Sequence, residues 1–130
     1  MRDQRWWTWH IAAGAIILVF LGLHMVIMHL DVIVGVFNAP GTEPIAWTNV
    51  VARAKSGFFM VTYIVLLGAA LFHGLYGLRN ILFELNPAPA LKRGLSVILV
   101  LGGFGLFALG TWTAWQSFVI ANAATVARAL

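Results

Sequence analysis

Three stretches of this chain carry no Lys, Arg, Asp or Glu: Trp6 to Leu30, Ser56 to Leu78 and Gly94 to Val126. Each meets the roughly 20 residues that a helix needs to cross the hydrocarbon core of a bilayer. The whole chain has 130 residues, of which 62% are hydrophobic and 9% charged. Soluble domains are about a quarter charged, so these charges are too few to cover a water-facing surface. Lipid is therefore the expected solvent for most of the chain. The expected fold is a single-domain (residues 1–130) all-α membrane protein with three transmembrane helices over 10–34, 56–83 and 93–118. Three helices make a poor independent bundle around anything large, so they are expected to form half of a bundle that a partner chain completes.

The first stretch is too long for the apolar core of a signal peptide, and no small-residue cleavage site follows it. Asn38, Pro40, Gly41 and Pro44 break the chain after the first span, and Asn86, Pro87 and Pro89 after the second. Proline removes a backbone donor and blocks helix continuation. No cysteine is present, which excludes disulfides, thiolate metal sites, iron–sulfur ligation and a cysteine nucleophile within the chain. The net charge of +4 is spread over ends and loops and does not read as nucleic-acid binding.

Lys and Arg set the expected orientation. With the N-terminus on the cytoplasmic side, that side holds Arg2, Arg5, Arg79, Lys92 and Arg93, and the other holds Arg53, Lys55 and Arg128. Trp6, Trp7 and Trp9 then form one interfacial belt, and Trp112 with Trp115 the other. Gly102, Gly103, Gly105 and Gly110 thin one face of the third span for close helix approach.

Polar side chains within a span are costly and are candidates for function. Of the four histidines, His10 reads as an interfacial residue beside the tryptophans, whereas His24 and His73 lie well inside their spans. Measured from the span centres, His24 lies about two residues to the outer side and His73 about three to four to the inner side. At 1.5 Å per residue the two are separated by roughly 8 Å along the membrane normal. One iron cannot join them. One histidine at each of two depths suits a stacked pair of b-type haems, each held by one imidazole from this chain and one from another. Core histidines bonded to backbone carbonyls, a proton relay or another metal fit the same spacing. Gly74 and Gly77 remove bulk beside His73, as either a macrocycle or a close neighbouring helix requires. Arg79, near the inner boundary, offers a guanidinium to a haem propionate or to lipid headgroups.

At this point the chain resembles the membrane-anchor cytochrome b subunits of succinate:quinone oxidoreductases and quinol:fumarate reductases. Gly22-Leu-His24-Met and Phe72-His73-Gly-Leu-Tyr-Gly-Leu78 resemble the histidine contexts of helices four and five in the two-haem kind. The likeness covers about residues 14 to 115, and extends to the smaller hydrophobic subunit where the anchor is split into two three-helix chains. It implies that His24 is an axial ligand of a distal haem b and His73 of a proximal one. Arg53 stands 20 residues before His73, where the family has an arginine that neutralises a haem propionate. The implied partners are a second hydrophobic anchor subunit, an iron–sulfur subunit and a flavoprotein subunit that holds the succinate–fumarate chemistry. The implied role is to pass electrons to or from menaquinone or ubiquinone in the cytoplasmic (inner) membrane of the cell, with no active site for succinate in this chain.

Two positions depart from the family pattern. Leu71 replaces a glutamate used for transmembrane proton transfer in one two-haem group. Glu84 and Leu85 stand where single-haem relatives have Asp-Tyr, so the tyrosine near the quinone is missing. His29 and Asp31, with Glu84, are the remaining candidates for exchanging protons with a quinone. His29 is also the rival distal ligand, about 7.5 Å beyond His24. The competing expectations are a one-haem or haem-free quinone-binding anchor, and a purely structural or assembly subunit.

Overall fold

The computed structural model describes residues 2–30 and 43–126. Helix α1 (Arg2–Met25) runs into a π-helical turn (Val26–Leu30). A short helix, α2 (Trp47–Ala54), precedes two long ones, α3 (Gly57–Glu84) and α4 (Pro89–Val126). By length and composition three segments can span a membrane: Gln4–His29, Gly57–Glu84 and Pro89–Ala124. The expected helices are present, with different ends. The first starts at Arg2 rather than residue 10, and the third runs from Pro89 to Val126 rather than over 93–118. The reason is that hydrogen-bonded backbone continues past the apolar residues. At 38 residues α4 is about 57 Å long, against a hydrocarbon core of about 30 Å.

The break between α3 and α4 follows from its residues. Leu85 caps α3, Asn86 takes a left-handed φ of 49°, and Pro89 opens α4. Asn tolerates that backbone region better than most side chains, and Pro suits the first helical position, where its missing N–H is not needed.

The long helices lie side by side in one layer, with α3 in the middle and each neighbour antiparallel to it. Among the described residues α1 and α4 do not touch. Among the described residues no large side chain is fully buried. In lipid there is little hydrophobic force between helices, and close approach at small residues takes its place. Here a Cβ on Gly68 would meet Phe107 at 3.2 Å, one on Gly103 would meet Leu75 at 2.7 Å, and one on Gly110 would run into Leu67. Of the four glycines expected to thin α4, Gly103 and Gly110 therefore face α3. Gly102 and Gly105 have nothing within contact distance.

At the end where α3 begins, α2 forms a cap. Asn49 donates to the Glu43 carbonyl at 2.9 Å, Arg53 donates through Nη2 to the Pro44 carbonyl at 2.6 Å, and Asn122 of α4 reaches the Lys55 carbonyl at 3.4 Å. Asn49 and Arg53 are among the few buried residues.

Candidate histidine site between the first two spans

The imidazoles of His10 and His73 stack face to face, centroids 4.0 Å apart and planes 9° from parallel. The approach follows from glycine on both helices. Gly14 lies one turn beyond His10, and a Cβ there would stand 3.1 Å from His73 Cε1 and 3.2 Å from Nδ1. Gly77 lies one turn beyond His73, and a Cβ there would stand 3.3 Å from His10 Cε1. Each histidine therefore packs over the other helix's glycine, a reciprocal His-x-x-x-Gly arrangement that antiparallel helices permit. Tyr76 adds a tilted ring 5.2 Å from His10, and Phe72 stacks on Tyr76 at 5.7 Å.

His73 Nδ1 lies 3.1 Å from the carbonyl oxygen of His10. A carbonyl only accepts, so Nδ1 carries the proton and donates it. In the neutral ring the lone pair is then on Nε2. This is the tautomer that metal-ligating histidines adopt when their other nitrogen is held by a backbone carbonyl. Gly74, next to His73, is exposed, and a Cβ on it would meet nothing. An apolar groove of about 360 Å³ between α1 and α3 adjoins Phe72, bounded by Trp6, Trp9, Ala13 and Ala69. Neither His73 nor Gly74 lines that groove, so the group here that could hold a haem iron is the oriented His73 imidazole itself, through its Nε2 lone pair. His10 Nδ1 is buried and has no hydrogen-bond partner among the described residues.

The other expected site residues are spread over both ends of the layer. His24 is half-buried near the end of α1, just before the π-helical turn, and His29 is exposed within that turn. Neither has a hydrogen-bond or ring partner among the described residues. Because His73 packs between His10 and Gly14, His24 lies ten to fourteen residues further along α1, about 15–21 Å. This exceeds the roughly 8 Å expected from the span centres, because helix register is set by the His–Gly contacts and not by where the charges stop. His73 and His24 remain unable to share one iron.

Arg79 is on the His73 side, its guanidinium 4.2 Å from the Phe83 ring centroid and its Nε donating to Ser96 Oγ at 3.3 Å. Arg53 is at the opposite end of α3, folded back on the Pro44 carbonyl. Glu84 is exposed at the last residue of α3. Asp31 lies outside the described residues. His10, read from the sequence as an interfacial residue, is the group the sequence analysis missed. The signal that could have found it is the matched spacing His10–Gly14 and His73–Gly77.

Comparison of the chain with protein-family models, with curated proteins and with solved structures finds no match in any of the three.

Proposed function

We propose that this chain is a haem b-binding membrane anchor of the succinate:quinone oxidoreductase type, through which electrons pass between an iron–sulfur subunit and the quinone pool. The observation that carries this reading is the bond from His73 Nδ1 to the His10 carbonyl, which leaves Nε2 as the free donor. The resemblance of the residues around His24 and His73 to the two-haem anchors supplies the rest. Haem b, when bound, supplies one-electron chemistry at a potential tuned by its ligands and surroundings.

On this reading His73 would hold one haem iron and His24 another, about 15–21 Å further along α1. A partner anchor chain packed on the open layer would complete each site. Arg79 is the cation assigned to a propionate on the His73 side; Arg53, buried and bonded to the Pro44 carbonyl, would have to leave that bond to serve one on the His24 side. His29 and Asp31 at one end and Glu84 at the other are the groups that would exchange protons with menaquinone or ubiquinone. The N-terminus faces the cytoplasm, as the Lys and Arg bias favours.

The test is haem b per complex, by pyridine haemochrome, in the assembly purified through this chain. We expect two in the wild type, with one lost in His24→Ala and one in His73→Ala. One haem sensitive to His73 alone would reduce the chain to a single-haem anchor. No haem in the wild type would sink the electron-transfer role and leave a structural or quinone-binding anchor.

A further inference from the structure

His10 lies outside the residues that the family likeness covers, yet its backbone and its ring both contact His73. We propose that His10 is a positioning residue for His73: its carbonyl holds the proton on His73 Nδ1, and its ring fixes the plane of the His73 imidazole. The proposal rests on the reading of His73 as a haem ligand.

Two observations carry it. The first is the 3.1 Å bond from His73 Nδ1 to the His10 carbonyl. In an α-helix that carbonyl already accepts from the N–H of the residue four further on, which is Gly14. Its second lone pair is reachable because Gly14 has no Cβ, which would stand 3.2 Å from Nδ1. A donated Nδ1–H makes the imidazole a stronger base at Nε2, and a stronger donor stabilises the oxidised iron. The second observation is the ring stack, 4.0 Å between centroids with 9° between planes. A ring held at Cβ turns about its χ angles, and a flat neighbour at van der Waals distance removes that freedom. The plane of an axial imidazole sets the anisotropy of low-spin ferric haem, so the stack has a spectroscopic readout separate from activity.

The experiment uses the whole complex purified through this chain, with haem content measured alongside the low-spin ferric EPR spectrum and the midpoint potentials. In His10→Ala, which keeps the carbonyl and removes the ring, the largest g value of one haem shifts and that of the other does not. His10→Phe, which restores a flat ring, returns it toward the wild-type position. In Gly14→Val, which moves the ring off the carbonyl, the potential of the same haem rises. Gly14→Ala asks for a shift of only a few tenths of an ångström, so it keeps the potential readable where the larger side chain blocks assembly. Full haem content with unchanged g values in His10→Ala and an unchanged potential in both Gly14 variants overturns the positioning role alone. A wild-type complex without haem, or one whose haem survives His73→Ala, overturns the ligand reading and this proposal with it.

Discussion

A carbonyl inside an α-helix keeps a second lone pair, and the side chain one turn further on normally covers it, because helix side chains lean toward the N-terminus. Glycine at that position opens the carbonyl to another helix. At Gly14 the group that enters is His73, and at Gly77 the neighbour is the His10 ring. The His73 tautomer thus follows from a missing methyl group on a different helix. Gly77→Val should displace the His10 ring and loosen the contact of α1 with α3, at a cost of about 1–3 kcal/mol for an overpacked site. Thermal unfolding of the complex in detergent checks it; a variant as stable as wild type would show that the ring has room to spare. Composition alone marked His73 as a polar group deep in a span. It could not show His10, because an estimate of depth from charge boundaries placed that residue at the headgroups. The structure sets the level of the pair by contact, with α1 beginning at Arg2.

The helices themselves were the most legible level, since charge-free length decides what can cross a bilayer. Their breaks at Asn86, Pro87 and Pro89 were legible because those residues lack either a donor or a right-handed preference. Which face of α4 meets α3 was not, since its apolar residues run all round and give no periodicity to read. Only the contacts distinguish Gly103 and Gly110, which face α3, from Gly102 and Gly105, which do not. Replacing Gly103 and Gly110 together by Leu should force the two helices apart and destabilise the layer by about 1–3 kcal/mol per site. Gly102→Ala and Gly105→Ala should leave it unchanged or slightly firmer, through helix propensity. Equal effects in the two pairs, read from thermal unfolding in detergent, would contradict the packing described. The α2 cap is equally hidden: the sequence shows only the charge of Arg53, and its buried bond to Pro44 depends on a turn that hydropathy does not reveal.

At the scale of the whole molecule, the absence of contact between α1 and α4 among the described residues means that three helices enclose nothing. Large apolar side chains such as Leu18 (76% exposed) and Phe104 (72% exposed) suit lipid or another apolar chain equally. On the proposed reading this chain would give one imidazole to each haem, and that other chain would complete each site. The chain purified alone should therefore retain less than about a tenth of the haem of the complex, a loss worth at least 1.4 kcal/mol in binding. Equal retention would mean that it needs no partner for this task.

The central claim is that His73 ligates iron, and the sharpest test removes only the ligand. In His73→Gly the side-chain space is emptied while α1 and its carbonyl stay in place. Added imidazole should then restore the low-spin spectrum of one haem in the purified complex, with no effect on the wild type. An unchanged low-spin spectrum in His73→Gly before any imidazole is added would contradict the account.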